Sequence, residues 1–328
     1  MSQNFDVVAI CNALMDVIYE ISNEELQQFN LTKGQMHLVD EARQRTMLAF
    51  FKDRKEVGRE IGGSSLNVIR ALALLEKKTA FAGSVADDPF GAAITKRMAE
   101  LKIDSKIIIS SNESTGVCLV LVSPDHERTM VTYLGASRLY GTKLVPTAAI
   151  QSSRVLHFCG YQWDTDGQKA AIAKGIEEAK HASCLVSFDL ADPFVVRQHQ
   201  SDFQEIVAKK ADIVFANEEE AHLLYGLTPE ATAAKIASYG PIAVIKLGAK
   251  GALIQKGQQQ TVVSPVPTQV VDTTGAGDMF AAGFLYGLVS EKSMAFCGRA
   301  AATLASDVIS HYGAKLSPEV IQKVRSLI

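Results

Sequence analysis

The stretch Asp272–Asp278 reads Asp-Thr-Thr-Gly-Ala-Gly-Asp and continues into an apolar run of helical length over 279–288. This order of residues places a glycine turn at the N-terminus of a helix. The first backbone N–H groups of a helix have no partner within it, and with the helix dipole they form a site for an anion. Gly275 and Gly277 lack Cβ, so a phosphate oxygen can come close to their amides. The stretch therefore predicts a phosphate-binding turn.

Asp278 closes this turn, where its carboxylate could orient an attacking hydroxyl and accept its proton. Phosphoryl transfer asks a protein for charge stabilisation on the moving group and for a positioned nucleophile with a base. A bare Gly-x-Gly-Asp also fits a second interpretation, in which the acid only favours a helix start and the glycines only turn the chain. The flanking Asp272-Thr273-Thr274 favours phosphoryl transfer.

A second glycine turn, Ile61–Asn67, reads Ile-Gly-Gly-Ser-Ser-Leu-Asn and opens a helical run over 68–75. Gly62 and Gly63 bring backbone amides near a ligand, and the amide of Asn67 can both donate and accept hydrogen bonds. A Gly-Gly turn with a Ser cap is also common in proteins that bind nothing. Alone, this turn is weak support for a binding site.

Asn12 and Asp16 follow the short apolar run Phe5–Cys11, which is typical of a strand buried on both faces of a parallel sheet. Ligands of open α/β sheets collect at the carboxyl ends of the strands, so both side chains are candidates for substrate contact. Both residue types also form turns, and the residues alone leave the two interpretations open.

Both glycine turns resemble signatures of one family, the ribokinase-like (PfkB-type) carbohydrate kinases. Residues 272–278 match its D-T-x-G-A-G-D motif, and residues 62–67 match its G-G-x-x-x-N motif. A third motif, G-x-V-G-x-D-x-x-G, matches Gly83–Gly91 with Ala86 in place of one glycine. The resemblance covers nearly the whole chain. It implies an α/β fold with a doubly wound, mostly parallel sheet and a small β-lid over the substrate.

The resemblance also implies a role for each matched residue in ATP-dependent phosphorylation of a hydroxymethyl oxygen. Asp278 would be the base, and the amides of Gly275, Ala276 and Gly277 would form the anion hole. The residues expected to hold the substrate hydroxyls are Asn12, Asp16, Gly62, Gly63, Ser64 and Asn67. Those expected at the ATP are Asn217, Lys246, Gly248, Gly251, Asp272 and Thr274.

Magnesium is the metal that the resemblance implies. A predicted strand over 213–216 runs into Asn217 and Glu220, which fit the family's N-x-x-E motif for magnesium and its water shell. Glu218 and Glu219 are interpreted as solvated acids of a first helical turn. A monovalent cation, K+, is implied in some family members by the helical run over 301–314, whose small residues also fit simple helix packing.

Lys246 stands where the family usually has threonine in its T-L-G-x-x-G nucleotide motif. The lysine could contact a phosphate or be solvated, and the sequence leaves both interpretations open. The chain contains no Walker A motif, and Gly275-x-Gly277 lacks the third glycine and the trailing acid of a dinucleotide fingerprint. These absences exclude P-loop and dehydrogenase chemistry.

Strands and helices alternate from Val155 onward, which predicts a parallel sheet covered by helices on both faces. The strand-like runs 116–122 and 128–134 are joined by a polar, proline-containing turn and predict a hairpin. With residues 17–40, this hairpin resembles the family's lid, which would exclude water as a competing acceptor. The predicted division is 1–16 as the start of the α/β kinase domain, 17–40 as the first part of the lid, 41–112 as kinase domain, 113–137 as the second part of the lid and 138–328 as kinase domain with the ATP site.

Composition excludes several classes of partner. The 328 residues carry a formal net charge of −3 and no basic run, so neither nucleic acid nor a membrane is an expected partner. No stretch reaches the roughly eighteen apolar residues needed to span a bilayer, and the N-terminus lacks a signal peptide's basic flank, which predicts a cytoplasmic protein. The five cysteines are widely spaced and are interpreted as buried small hydrophobes. The expected ligands are ATP and a small acceptor, and the expected assembly is a monomer or homodimer.

The acceptor is the hardest feature to predict. Asp16 and the turn over 62–67 are similar to the adenosine kinase branch, and a carboxylate can accept two hydroxyl hydrogen bonds from a ribosyl cis-diol. A nucleoside also needs a stacking surface, for which Tyr133, Tyr161 and Trp163 are candidates, although all three also fit as core or lid aromatics. We predict ribonucleoside phosphorylation, adenosine first. A free-sugar or sugar-acid kinase and a non-catalytic nucleoside or sugar sensor are the alternatives.

Overall fold

The computed structural model describes residues 4–125 and 127–327, which form two β-sheets surrounded by helices. The strands of these residues are β1 Phe5–Ile10, β2 Leu14–Glu20, β3 Met36–Leu38, β4 Gly58–Gly62, β5 Thr79–Ala86, β6 Asp104–Ser110, β7 Thr115–Val122, β8 Arg128–Gly135, β9 Ser153–Cys159, β10 Leu185–Asp189, β11 Ile213–Asn217, β12 Ile242–Lys246, β13 Ala252–Lys256 and β14 Gln259–Val263. The α-helices are α1 Asn23–Gln28, α2 Glu41–Phe51, α3 Ser64–Leu74, α4 Pro89–Glu100, α5 Thr147–Gln151, α6 Asp166–His181, α7 Pro193–Lys209, α8 Glu218–Tyr225, α9 Pro229–Ser238, α10 Ala276–Val289, α11 Met294–Val308 and α12 Pro318–Arg325.

The large sheet has nine strands in the order β14-β13-β12-β11-β10-β9-β1-β5-β6. From β12 across to β6 the strands run parallel, whereas β13 and β14 add an antiparallel edge. The predicted doubly wound, mostly parallel fold is therefore confirmed. The direction of winding reverses at β1, which lies between β9 and β5, and ligands of open α/β sheets bind at such a switch point.

Hydrophobic side chains alternate between the two faces of the large sheet. Val7 and Ala9 of β1 face a core under α3, α10 and α11, while Val8 and Ile10 face a second core under α6, α7 and α8. This alternation follows from the two-residue period of a strand, and burial on both faces explains why β1 is apolar throughout. Helix α10 is buried on almost all sides, which explains why its sequence is almost entirely apolar. The helix with the glycine turn is thus fixed in the core.

The small sheet forms the lid, with the strand order β3-β8-β7-β2-β4. Strands β7 and β8 form the predicted hairpin, although His126 in its turn lies outside the described residues. Helix α2 packs on one face of the lid, where Phe51 is fully buried and stacks on Tyr19 with ring centroids 4.7 Å apart. The other face is free to line the cleft above the large sheet.

The lid takes more of the chain than the sequence predicted. Strand β4, predicted to lie in the α/β domain, pairs antiparallel with β2, so that Leu14 lies opposite Gly62. Strand β2 begins at Leu14, before the predicted boundary after Asp16, and only the segment 11–13 separates it from β1. The pairing of β2 with β4 joins segments that are distant in sequence, and no local pattern encodes it. Asp16 therefore belongs to the lid.

All five cysteines are buried free thiols, as the composition predicted. Within residues 4–125 and 127–327, the helices fall short of the length and apolar character that crossing a membrane requires.

Candidate active site

Two helix N-termini meet at one end of the cleft between the large sheet and the lid. Helix α10 begins after Gly275, whose φ of 77° caps it, and carries Asp278 in its first turn. Helix α3 begins at Ser64 and carries Asn67 in its own first turn. The carboxylate of Asp278 accepts hydrogen bonds from Ser64 Oγ at 2.7 Å and from Asn67 Nδ2 at 2.9 Å. One carboxylate thus brings the two glycine signatures together.

The surroundings of Asp278 set its proton affinity. Burial raises the pKa of this carboxyl above its ordinary value, and the hydrogen bonds from Asn67 and Ser64 oppose the rise. The charge of Asp189 adds to the rise in pKa, and that of Lys246 opposes it. A carboxylate with a raised pKa is a stronger proton acceptor than an ordinary aspartate, which suits a general base.

Gly275, Ala276 and Gly277 of the glycine turn line the cleft. Within the described chain, the N–H groups of Gly275 and Gly277 have no hydrogen-bond partner, whereas that of Ala276 donates to the carbonyl of Thr273 at 3.3 Å. Two of the three amides predicted for the anion hole are therefore free, and the third is shared with the turn. Gly277 also has open space around it, since a Cβ there would meet only Lys246 Nζ, at 3.1 Å.

Asp272 shapes the turn from behind. Its side chain is fully buried, and it accepts hydrogen bonds from Thr274 N at 2.8 Å, Thr274 Oγ1 at 2.6 Å and Gly313 N at 2.7 Å. Thr274 lines the cavity and Asp272 does not. Gly313 therefore supports the phosphate-binding turn through its hydrogen bond to Asp272. The potassium site predicted for the run over 301–314 stays a prediction.

The predicted hydroxyl-binding residues gather beneath the lid. Asp16 lines the cavity with 8% of its surface exposed, and burial raises the pKa of its carboxyl to about 7. Asn12 is held by two hydrogen bonds, since its Oδ1 accepts from Gln168 Nε2 at 2.8 Å and its Nδ2 donates to the Tyr161 carbonyl at 3.3 Å. The Oδ1 atom of Asn67 is buried and has no partner among the described residues. Asp16 and Asn67 Oδ1 therefore provide hydrogen-bond acceptors for the hydroxyl groups of a ligand.

The twin glycines allow a close approach of backbone and side chain. Gly63 has a φ of 104°, and a Cβ there would lie 2.1 Å from the carbonyl oxygen of Asn12. Only glycine fits such a position. A Cβ at Gly62 would lie within 2.4 Å of the carboxylate atoms of Asp16. Gly63 lines the cavity, whereas Gly62 packs against Asp16 from outside the lining.

A cavity of about 340 Å³ extends from these residues between the lid and the large sheet. The lid contributes an apolar wall, formed by Leu14, Met36, Leu38, Cys118, Val120, Met130 and Leu134. We call this surface the lid wall. The opposite side is lined by residues after β9 and at the start of α7, including Tyr161, Trp163, Phe194 and Val195.

The three candidate aromatics differ in their surroundings. Tyr133 donates from its hydroxyl to Glu113 at 2.8 Å and is not among the residues that line the cavity. Trp163 lines it but is only 7% exposed, and it packs edge-on against Phe203 with ring centroids 5.4 Å apart. Tyr161 lines the cavity and is only partly buried. Tyr161 is therefore the aromatic placed best for stacking on a ligand.

Asn217 and Glu220 form a reciprocal cap at the start of α8. Glu220 Oε2 accepts from Asn217 N at 2.8 Å, and Glu220 Oε1 accepts from Asn217 Nδ2 at 2.7 Å. Burial raises the pKa of Glu220 to about 7, against the opposing charge of Lys246. Both residues line the cavity, whereas Glu218 and Glu219 are exposed and pair with surface cations, as interpreted from the sequence.

Lys246 is enclosed, with 15% of its side chain exposed, and pairs with Asp189 at 3.0 Å. Its interpretation as a solvated lysine is therefore wrong. Gly248 lines the cavity with Lys246, whereas Gly251 lies against the backbone of Val263 in the turn before β13 and is outside the lining.

Three residues of the site were missed in the sequence. Asp189 ends β10 at the same sheet edge as Asn12, so reading the carboxyl end of every strand would have found it. Arg128 begins β8 and enters the cavity from the lid, and Gln168 orients Asn12 from α6. No local pattern distinguishes Arg128 or Gln168 from an ordinary surface residue.

The combination of a doubly wound sheet, a β-lid and a carboxylate beside a glycine turn defines a class of enzyme, the phosphotransferases that act on sugar or nucleoside hydroxyls. The family follows from comparison with known proteins. The model of the pfkB family carbohydrate kinases matches residues 47–320, and the chain belongs to that family. The resemblance of the two glycine signatures is therefore confirmed.

Solved structures and curated relatives agree with this class. The chain is 31% identical to a probable sugar kinase protein from Rhizobium etli CFN 42, with a TM-score of 0.93 over 100% of this chain and 99% of that one. It is 30% identical to adenosine kinase from Sinorhizobium meliloti, with a TM-score of 0.93 over 99% of this chain and 100% of the other. The 5-dehydro-2-deoxygluconokinase of Listeria monocytogenes is 27% identical over 280 residues, which are 82% of this chain and 86% of that protein.

Proposed function

We propose that this enzyme transfers the γ-phosphoryl group of ATP to the hydroxymethyl oxygen of a ribonucleoside, with adenosine as the preferred acceptor. The observation that carries the acceptor class is the lid wall beside Asp16. A nucleobase can bury its faces against apolar side chains, whereas a free sugar presents hydroxyls that such a wall would leave without partners. Tyr161 offers a ring on the opposite side, and the 30% identity to a bacterial adenosine kinase adds support.

The ribosyl group fits the acceptor atoms at the base of the lid. Asp16 presents a largely buried carboxylate in the cavity lining, and Asn67 Oδ1 is a buried acceptor without a partner among the described residues. Vicinal hydroxyls supply the missing donors. Because Asn67 also donates to Asp278, a sugar bound here has its hydroxymethyl group close to the base.

In the proposed step, Asp278 accepts the proton of the hydroxymethyl group as its oxygen attacks the γ-phosphorus. The new oxygen–phosphorus bond forms while the bond from the γ-phosphorus to the β,γ-bridging oxygen breaks, and ADP leaves. The free amides of Gly275 and Gly277 stabilise charge on the transferring group. The lid excludes water, which would otherwise compete as the acceptor.

Asn217 and Glu220 fit a magnesium ion held largely by water and phosphate. Among residues 4–125 and 127–327, no group of three His, Cys, Asp or Glu side chains could hold a metal. Magnesium typically keeps several waters and is bound through one or two carboxylates together with substrate phosphates. The ion, when bound, would neutralise charge on ATP, and Glu220 would orient its water shell.

A sugar acid is the second candidate acceptor, and Arg128 is the residue that favours it. Arg128 lines the cavity and forms no ion pair with a described residue. A guanidinium can bind a carboxylate through two parallel hydrogen bonds. The relative from Listeria, a 5-dehydro-2-deoxygluconokinase, belongs with this alternative.

The decisive measurement is ADP release with saturating ATP and a series of acceptors, namely adenosine, other ribonucleosides, ribose, fructose and a sugar acid. Adenosine should give the highest kcat/KM. It should inhibit phosphorylation of the free sugars at a far lower concentration than the free sugars need to inhibit phosphorylation of adenosine. Asp278→Asn, purified in parallel, controls for contaminating kinases. If a free sugar or a sugar acid has the higher kcat/KM, the nucleoside proposal is wrong and the enzyme class stands.

A further inference from the structure

Three neighbouring parallel strands end in polar residues that line the part of the cavity where ATP is predicted to bind. Asp189 ends β10, Asn217 ends β11 and Lys246 ends β12. Asn217 and Lys246 are register partners, whereas Asp189 pairs with Phe215, two residues before Asn217. The family motifs account for Asn217 but neither for Asp189 nor for a lysine at 246.

The ammonium group of Lys246 lies between this sheet edge and the glycine turn. Its Nζ donates to Asp189 Oδ2 at 3.0 Å and to Asp189 Oδ1 at 3.3 Å. On the other side, a Cβ at Gly277 would lie 3.1 Å from the same Nζ. The cation therefore adjoins Gly277, whose amide has no partner among the described residues and is proposed to bind the phosphoryl group. An ammonium carries three N–H donors, so pairing with Asp189 leaves donor capacity for a ligand.

The charges around Lys246 keep it protonated. Burial alone would lower the pKa of its ammonium, but Asp189 and Glu220 raise the pKa overall, with a further contribution from Asp278. The fourth titratable neighbour, His157, is uncharged near neutral pH because burial lowers its pKa to about 4. Lys246 is thus a cation next to these acids, and it offsets their repulsion of a nucleotide phosphate.

We propose that Lys246 is a catalytic residue that donates a hydrogen bond to the transferring phosphoryl group, and that Asp189 is the positioning residue that holds its ammonium beside Gly277. This inference rests on the proposed phosphoryl transfer from ATP. A purely structural buried ion pair is the competing explanation, because removing one member of any such pair destabilises a protein. The two explanations differ in what they predict for kcat and for its pH dependence.

Lys246→Met tests the contact with phosphate, with Lys250→Met as the matched control. Lys250 is four residues away, 73% exposed and paired with Glu218 at the surface. Loss of one preorganised donor lowers kcat by roughly 10²–10³-fold. We expect that loss in Lys246→Met, with little change in the KM of the acceptor, and wild-type kcat in Lys250→Met. Equal kcat values in the two variants would overturn the proposal.

Asp189→Asn tests the positioning role through the pH profile. Asp189 raises the pKa of Lys246, so its removal lets that pKa fall, and Lys246 loses its proton at lower pH. In Asp189→Asn, the fall of kcat at alkaline pH (the alkaline limb) should therefore occur at lower pH than in the wild type. Lys246→Arg should retain part of the turnover and lose this limb, because a guanidinium does not deprotonate. An unchanged limb in either variant contradicts the assignment.

The double variant Asp189→Asn/Lys246→Met separates chemistry from folding. Removing both partners avoids leaving an unpaired buried charge, so the protein should fold even where a single variant does not. A folded and inactive double variant supports the proposal, and a folded variant with wild-type kcat refutes it. All rates are measured with the best acceptor found for the wild type, so a failure of the adenosine assignment leaves this test intact.

Discussion

The hydroxyl of Ser64 donates a 2.7 Å hydrogen bond to Asp278, although the two residues are 214 positions apart in the sequence. Ser64 begins α3, and Asp278 lies in the first turn of α10. The bond fixes the base relative to the helix that carries Asn67, whose Oδ1 has no partner among the described residues. The base Asp278, the hydroxyl-binding residue Asn67 and the phosphate-binding turn are thereby fixed relative to one another.

Asp278→Asn should lose most turnover and leave acceptor affinity nearly intact. The amide keeps the size of the side chain but cannot accept the proton, and general-base catalysis contributes on the order of 10²–10⁴-fold. Steady-state kcat and the dissociation constant of adenosine, measured by calorimetry, check both parts. Wild-type turnover in the Asn variant would show that Asp278 is not the base.

Ser64→Ala should shift the acid limb of the kcat/KM profile to higher pH. The Ser64 hydrogen bond lowers the pKa of Asp278, so its loss lets that pKa rise further. Asp278 must be ionised to accept a proton, so the lost activity lies on the acidic side of the profile. Ser65→Ala is the matched control in the same helical turn. A shift of equal size in both variants would assign the effect to α3 in general rather than to the bond.

Gly277→Val should impair turnover far more than folding. A Cβ at this position meets only Lys246 Nζ at 3.1 Å, so the backbone tolerates a side chain that fills the phosphate space. Loss of one anion-hole donor costs roughly 10²–10³-fold in kcat. Thermal unfolding and kcat, measured on the same preparation, separate the two effects. Normal turnover in a folded Val variant would remove Gly277 from the anion hole.

Glu220→Gln should raise the magnesium concentration that gives the half-maximal rate. The variant also loses one acceptor of the cap on α8, which costs about 1 kcal/mol of stability. Glu219→Gln, one residue earlier and 59% exposed, should leave the magnesium curve unchanged. If the two magnesium curves coincide, Glu220 is a helix cap and has no role at the metal.

The fold was predictable where the sequence pattern is local. The buried run of β1, the alternation after Val155 and the glycine turns each express a period or a backbone requirement within a few residues. The membership of β4 in the lid was not predictable in this way. Its partner β2 lies about forty residues earlier in the chain, and the local propensity of either segment does not specify a pairing over that distance.

The residues of the site likewise divide into those that a local sequence pattern predicts and those that depend on distant segments. Asp278 and Gly277 stand in one contiguous signature, so their proximity follows from the chain itself. Lys246 and Asp189 are 57 residues apart, and only the parallel order of β10, β11 and β12 brings them together. The sequence therefore left the environment of Lys246 open, since burial of a lysine depends on a partner supplied by another strand.

Asp16 stands on a lid strand, while Asn67 and Asp278 stand on helices fixed to the large sheet. An acceptor that binds all three is a bridge between two bodies, the lid and the large-sheet domain, which the chain connects at four places: over 11–13, at 63, over 111–114 and after 135. Its binding free energy therefore includes the free energy of placing one body on the other. By thermodynamic linkage, any change that stabilises this placement of the lid raises acceptor affinity, and a bound acceptor stabilises the placement to the same extent.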